Sequence, residues 1–458
     1  MFDINREHPE YKAKAAVWRQ YRDLYAGGEQ LKNNAGQYLM PRRKEPADLY
    51  AERLQQVFYE NYIGSIVDWY SSTVFRREPV LTIDGVNAAG RDFFNQFVDD
   101  CDLKGTHFAD LMRRQFVEAL VQGTSYLLLD FPRTTVPAGS RAEEDERGVS
   151  RAYLVPFAAE DLINWNYDEH GRFQWVVLRT TALRKSKVED PDWQSETRWT
   201  YYDQREFRVY RQVTSTSGTS EPIELIDSGR HGMAKLNRVP LFRLELPEGL
   251  WLLNRAGSLQ LEHFNKSNAL SWALSMGLFA MPVIYSDRQW NQMVGESYYI
   301  QLGPEDKFGW TEPEGRVFVI AADNLSRLQG EIYRVCYLSQ MARSDTGASQ
   351  SGLSKLRDFS ITQEVLRAYG DAIKDLARRI LRAAEEVRED GLQLSLSGMD
   401  EFDIGDFATE LENARALLAM EINSPTLAKQ VKKNLALKYL CDVRQDVKDR
   451  IAAEIDVA

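Results

Sequence analysis

Apolar residues recur at three- and four-residue steps through much of the chain, the spacing that places them on one face of a helix. The longest such stripe is Leu353, Leu356, Phe359, Leu366, Tyr369, Ile373, Leu376, Ile380, Ala384 and Val387. No proline interrupts it and Gly391 is placed to stop it, so the spacing predicts one helix over 353–390, roughly 50 Å long at about 1.5 Å per residue. Upstream, Leu325, Leu328, Ile332, Val335 and Leu338 form another helical face. Between the two stripes, 343–352 holds two glycines and no large apolar side chain, the composition of a mobile loop.

The rest of the chain alternates between helical and strand periods. Residues 11–25 read as a helix ended by Gly27-Gly28, 38–43 as an extended link, and 47–75 as a long helical stretch. A short strand follows at 80–83, then helix over 91–121. Gly123-Thr124-Ser125 switches the period to Tyr126-Leu127-Leu128-Leu129-Asp130, a strand of the buried type. The charged stretch 141–148 reads as an exposed loop. Residues 151–246 are β-rich, with antiparallel strands around Trp175-Val176-Val177-Leu178, Arg198-Trp199-Thr200-Tyr201-Tyr202 and Phe207-Arg208-Val209-Tyr210, and a turn over 214–220.

Residues 251–276 return to a helical pattern, but a polar one. Asn254, Ser258, Asn265, Ser267, Asn268, Ser271 and Ser275 interleave with Leu253, Leu259, Phe264, Leu270 and Trp272. Such a helix suits contacts with neighbouring helices, or an aqueous lining, better than a dry core. Pro282 ends it, and 283–320 carries short strand patterns punctuated by Gly295, Gly303-Pro304, Gly309 and Gly315. Helix, small β module, helix and loop follow in that order, so two antiparallel helices would hold the insert at their far end. The C-terminal part predicts helices over 407–420, 426–439 and 442–455, the second started by Ser424-Pro425. The fold class is α+β, mainly α.

Composition narrows the function classes. The 458 residues are 43% hydrophobic and 27% charged, a soluble globular balance with room for roughly two to four domains. Ten Trp, 21 Tyr and 20 Phe favour large packed surfaces or interfaces. A net charge of -11 argues against a basic protein that grips nucleic acid. Cys101, Cys336 and Cys441 are far apart, with neither a disulfide framework nor zinc spacing, which points to a reducing compartment. Met1-Phe2-Asp3-Ile4-Asn5-Arg6 lacks the apolar run of a signal peptide. The most hydrophobic stretch, 270–285, falls short of the roughly 20 residues of a spanning helix, so no membrane is expected.

Catalytic motifs are missing: no G-x-x-x-x-G-K-[ST], no H-E-x-x-H and no G-x-S-x-G. His8, His107, His170, His231 and His263 are scattered and read as surface or hydrogen-bonded structural residues. Asp99-Asp100, Glu143-Glu144 and Glu385-Glu386 read as solvated faces, and Arg378-Arg379 and Lys432-Lys433 as solvated or acid-paired. The expectation is no enzyme, no catalytic or metal-binding residue and no cofactor.

Several segments in order carry a family resemblance: Tyr38-Leu39-Met40-Pro41-Arg42, Tyr50-Ala51-Glu52-Arg53-Leu54, Asn61-Tyr62-Ile63, Val74-Phe75-Arg76-Arg77-Glu78-Pro79, the run from Ala119-Leu120-Val121-Gln122-Gly123 to Asp130, and Asp161-Leu162-Ile163-Asn164-Trp165. With them the chain resembles the portal proteins of tailed bacteriophages, in a subgroup long described only as a domain of unknown function. The resemblance implies a portal-like fold. Its parts would be a wing over 1–250 (β-rich at 126–246), a first stem helix at 251–280 and a clip at 281–323. A second stem helix would follow at 324–342, a tunnel loop at 343–352, the long wing helix and its return at 353–406, and a crown at 407–458 that is shorter than in some relatives.

The resemblance further implies a homo-oligomeric ring of twelve subunits at one capsid vertex of the virion, assembled in the host cytoplasm. Double-stranded DNA would pass through it, without sequence specificity, during packaging and ejection. The implied partners are the major capsid protein, a scaffold, the terminase large subunit docking on the clip, and later a head-tail adaptor. Arg343, Ser344, Asp345, Thr346, Gly347, Ala348, Ser349 and Gln350 would face the channel. Asn254, Ser258, Phe264, Asn268, Trp272, Leu328, Ile332 and Val335 would form the subunit interface of the stem. An acidic wall fits a channel along which DNA slides, because each counterion-releasing phosphate contact would add affinity. The alternatives are another oligomeric virion protein, such as a scaffold or connector ring, and a hydrolase with an unrecognised site.

Overall fold

Glycine, asparagine and aspartate divide the N-terminal helical patterns into short elements. The computed structural model describes residues 3–76, 79–132, 143, 151–185, 193–215, 218, 220–277, 281–285, 307–311, 315–338, 352–399, 402, 415–416, 424–439, 450–451 and 454–455. Helices α1 (Pro9–Ala26), α2 (Gly28–Asn33), α3 (Ala47–Gln55) and α4 (Tyr62–Val74) precede strand β1 (Val80–Asp84), and α5 (Ala88–Asp99) and α6 (Phe108–Gln122) follow it.

Two stretches expected to be continuous are broken. The 47–75 pattern splits because Asn61 caps α4, its side chain accepting the Gly64 N–H, while Tyr59 donates to the Leu24 carbonyl. The 91–121 pattern splits at 100–107. There the Asp102 carboxylate takes the Lys104 and Thr106 N–H groups and Asp100 takes that of Gly105. Side chains that bond nearby backbone in this way compete with the helix.

Strand β2 (Thr124–Asp130) explains its own apolar run. It lies between β3 (Tyr153–Ala158) and β9 (Leu241–Glu245) in an antiparallel sheet of order β3-β2-β9. Leu127 and Leu129 enter one hydrophobic core; Tyr126 and Leu128 enter another. A strand alternates its side chains between faces, so one buried on both must be apolar throughout. The first core holds Tyr70, Phe94, Phe116 and Leu366. The second lies on an antiparallel sheet of β4 (Leu162–Tyr167), β5 (Phe173–Arg184), β6 (Gln194–Asp203), β7 (Glu206–Thr214) and β8 (Glu224–Arg230), in that order. Tyr11 and Trp18 of α1 pack there with Trp165 and Trp199.

Downstream run α7 (Leu252–Gly277), the strand pair β10 (Met281–Tyr285) and β11 (Lys307–Thr311), α8 (Gly315–Val335), α9 (Gly352–Arg388), β12 (Gln393–Ser397) and α10 (Pro425–Tyr439). Helix α8 starts at Gly315, inside a stretch whose Val317-Phe318-Val319-Ile320 reads locally as strand, and stops at Val335 instead of 342. The stop follows from Tyr337, whose φ of 62° lies in the left-handed region. The 37 residues of α9 match the predicted long helix. β1 pairs antiparallel with β12. Ser424 caps α10, its hydroxyl accepting the Leu427 N–H. The expected loops at 141–148 and 343–352 and the helices at 407–420 and 442–455 lie largely or wholly outside the described residues.

Two buried tyrosines fasten the base of the α7–α8 pair. Tyr369 of α9 lies edge-on to Tyr70 of α4 and to Phe116 of α6, with centroids 5.4 and 5.1 Å apart. The Tyr369 hydroxyl donates to the Leu250 carbonyl just before α7 (2.6 Å), and the Tyr70 hydroxyl to the Cys336 carbonyl just after α8 (2.7 Å). Thr362 donates to the Tyr337 carbonyl at 2.7 Å. Trp251 donates from its indole to the Val121 carbonyl and covers Gly123, whose φ is +82°.

Gly123→Val is therefore expected to destabilise the fold. A left-handed non-glycine residue costs about 1–2 kcal/mol, and the added Cβ would stand 2.9 Å from the Trp251 ring, an overpacking of about 1–3 kcal/mol. A fall in Tm of several degrees by calorimetry is the predicted result, and an unchanged Tm would refute the contact. Tyr70→Phe keeps the ring and strands the Cys336 carbonyl. Denaturant titration should register a loss of about 1–2 kcal/mol, and no loss would mean that the hydroxyl contributes nothing to the base.

Candidate functional site

Helices α7 and α8 run antiparallel. The Arg255 guanidinium sits 4.9 Å from the Tyr337 ring centroid at one end, and Lys266 Nζ donates to Asn324 Oδ1 at 3.0 Å midway. β10 and β11 pair at the other end in the register Met281↔Thr311. From the Lys266–Asn324 contact to the strand pair, the helices continue for roughly 15 Å.

Burial falls off along this rod. Near the base Leu252, Leu253, Ala256 and Phe264 of α7 and Leu328 and Ile332 of α8 are buried. Toward the strand pair Val317, Val319 and Ile320 are 63%, 60% and 60% exposed, and Leu274 and Tyr285 are exposed as well. Covering a Val or Ile side chain is worth about 1.5–3 kcal/mol. Val317 and Ile320, three residues apart, share one helix face, and contiguous exposed apolar side chains mark protein contacts.

The residues expected at a stem interface divide accordingly. Phe264, Asn268, Leu328 and Ile332 are buried within the subunit and have no surface to offer a neighbour. Trp272 and Val335 are half-buried, and Asn254 and Ser258 are exposed. The 3.6-residue pattern marked which positions are apolar but not which lie beyond the core. The exposed Val317, Val319 and Ile320 carry a β-branched pattern that suggests a strand, but they lie on helix α8. Arg343, Ser344, Asp345, Thr346, Gly347, Ala348, Ser349 and Gln350 lie outside the described residues.

The polarity of α7 has a specific cause. Asn265 accepts the Met40 N–H (2.8 Å) and donates to the Tyr38 carbonyl (3.1 Å). One turn on, Asn268 accepts the Phe58 N–H (3.1 Å) and donates to the Phe58 carbonyl (2.9 Å). Gln260 donates to the Glu60 carbonyl. These amides take the place of the strand partner that the irregular connectors around α3 lack. His263 is buried beside Tyr62; burial pushes its pKa below the ordinary value and the nearby Glu60 partly offsets this.

Elsewhere the chemistry-bearing side chains hold structure. His8 and His107 cap α1 and α6. Burial pushes the thiols of Cys101 and Cys336 up to about 12; Cys441 lies outside the described residues. Arg379 pairs with Asp375 at 2.9 Å and Arg378 donates to the Leu396 carbonyl. An open cleft of about 430 Å³ lies over Trp175, Tyr201 and Arg205, but its polar groups serve the β6–β7 turn: Asp203 accepts the Arg205 and Glu206 N–H groups, and Arg205 donates to Asn237. Among the described residues, no group of three His, Cys, Asp or Glu is placed to hold a metal ion, and no helix is long and apolar enough to cross a membrane.

No protein-family model matches the chain, and a search of curated proteins finds no relative. Solved structures of similar shape include a chain from the neck of an empty gene transfer agent (GTA) particle computed with C6 symmetry. It is 12% identical, with a TM-score of 0.44, over 79% of this chain and 87% of that one. A chain from the virion of a native GTA particle is 10% identical, with a TM-score of 0.39, over 84% of this chain and 92% of that one.

Proposed function

We propose that this chain is a non-enzymatic, ring-forming structural protein of a phage-like particle, of the portal type. The observation that carries the proposal is the α7–α8 rod. It is anchored at its base by Tyr70 and Tyr369, bears a β pair at its tip, and is apolar and uncovered along its outer part at Val317, Val319 and Ile320. In a closed ring each copy presents one surface to the copy before it and another to the copy after it, and exposed apolar side chains on a projecting rod suit such a contact.

The finer parts of the proposal rest on the resemblance of the N-terminal motifs and on the order of elements. These are a twelve-fold ring at a capsid vertex, passage of double-stranded DNA, and docking of terminase and then an adaptor. Residues 343–350 would line the channel. The subunit contact of the stem lies farther out than Leu328 and Ile332, at Leu274, Tyr285, Val317, Val319 and Ile320.

Sedimentation of the full-length Ile320→Glu variant tests this contact. The side chain is exposed in the subunit, so the melting temperature should hold within the usual surface range of about ±0.5 kcal/mol. Self-association should be lost, because a charge at that place cannot be buried against a neighbour. Assembly equal to the wild type would remove the rod as the contact.

A further inference from the structure

Four strand edges bound the two larger sheets, and three of them are closed. On β4, the Ile163 carbonyl accepts the His8 N–H at 2.8 Å, and the His8 ring stacks on Trp165. On β3, the Leu154 N–H donates to the Cys101 carbonyl at 2.7 Å. On β9, the Arg243 carbonyl accepts a bond from the Arg379 guanidinium of α9 at 2.9 Å. An open edge presents a row of unpaired N–H and C=O groups, which is a template for another strand, and proteins commonly cover it.

The fourth edge, β8, is different. Among the described residues β8 pairs only with β7, and every residue of it is exposed. The His231 N–H donates to the Arg205 carbonyl, which fixes the phase of the ladder. Bonded and non-bonded pairs alternate along antiparallel strands. The bonded pairs therefore continue at Phe207↔Gly229 and Val209↔Asp227, and Arg208↔Ser228 and Glu206↔Arg230 fall between them. The N–H and C=O groups of Ser228 and Arg230 accordingly point away from β7, along an exposed flank. Farther along, Val209 faces Asp227 and Tyr210 faces Leu225, which leaves Ile226 as the extra residue of a bulge. Ile223, Leu225 and Ile226 are 40%, 53% and 41% exposed.

We infer that β8 is a docking edge for an extended segment of a different protein, which adds a further strand to this sheet through Ser228 and Arg230. Backbone groups left open at strand spacing fit an extended polypeptide, which supplies donors and acceptors in the same rhythm. The side chains narrow the segment further. Residues 221–230 carry Glu221, Glu224 and Asp227 against Arg230 alone, and Glu224 also pairs with Arg211. The segment that fits carries Lys or Arg, with apolar residues at alternate positions to cover Leu225 and Ile226. A second copy of this chain suits the edge poorly. Its β3, β4 and β9 edges are closed, and β8 against β8 would bring two sets of carboxylates together. The edge is complete within one subunit, so its occupation does not depend on ring assembly.

The probe is a synthetic peptide of about eight residues alternating lysine with valine, titrated against the full-length protein by fluorescence anisotropy at about 0.15 M NaCl. The same peptide methylated at every second amide keeps its charge but cannot pair, and should bind about tenfold more weakly or worse. Ser228→Pro removes an outward donor and leaves the bonded pairs with β7 in place. It should weaken the unmodified peptide about tenfold, with an unchanged melting temperature. Ile226→Lys, which puts a cation on the exposed edge, should weaken the peptide as well and serves if the proline variant does not fold. Hydrogen exchange at Ser228 and Arg230 should slow when the peptide is added. No binding up to about 1 mM, equal binding of the two peptides, or protection confined to other segments would overturn the inference. Wild-type self-association that Ser228→Pro abolishes would also overturn it, giving the edge to a second copy. A wild type that stays monomeric yet binds the peptide as described would uphold the inference and count against the ring alone.

Discussion

Two phenolic hydroxyls decide where the α7–α8 rod begins. Tyr369 holds the carbonyl that precedes α7 and Tyr70 the carbonyl that follows α8, and the two rings pack edge-on against each other. Both tyrosines are members of the main core. The rod is therefore fastened at its base, by groups whose burial pushes their pKa values above ordinary, and farther along by the α7 amides that hold the connectors. Beyond Asn268 and Asn324 burial falls, and the apolar side chains of Leu274, Tyr285, Val317, Val319 and Ile320 are exposed.

This division accounts for two features of α7 that look contradictory in sequence. Its apolar residues Leu252, Leu253, Ala256 and Phe264 enter the subunit core, as any amphipathic helix would. Its asparagines replace missing backbone partners for the connectors at Tyr38–Met40 and Phe58. Small polar residues on a helix can thus mean neither a wet channel nor a helix partner, but a stretch of irregular chain that needs hydrogen bonds.

Much of the fold was legible because one interaction governed each element. The long α9 follows from an uninterrupted stripe, the doubly buried β2 from its unbroken apolar run, and the start of α10 from Ser424 and Pro425. Boundaries failed where local side-chain chemistry competed with periodicity, at Asn61 and at Asp100–Asp102. They failed again at Val317 to Ile320, where a β-branched run sits in a helix. The candidate surface was less legible than the fold. Periodicity marks apolar positions, but exposure depends on where the core ends, and that is set by Tyr70 and Tyr369 from elsewhere in the chain. Phe264, Leu328 and Ile332 lie inside, whereas Val317, Val319 and Ile320, strand-like in sequence, stand exposed on a helix.

Electron microscopy of the purified full-length protein tests the central claim most directly. Closed rings are expected, with neighbouring copies touching along the outer part of the α7–α8 rod and an axial opening wide enough for duplex DNA, about 20 Å or more. Single subunits at every concentration, open filaments, or rings in which Val317 and Ile320 face solvent would contradict it.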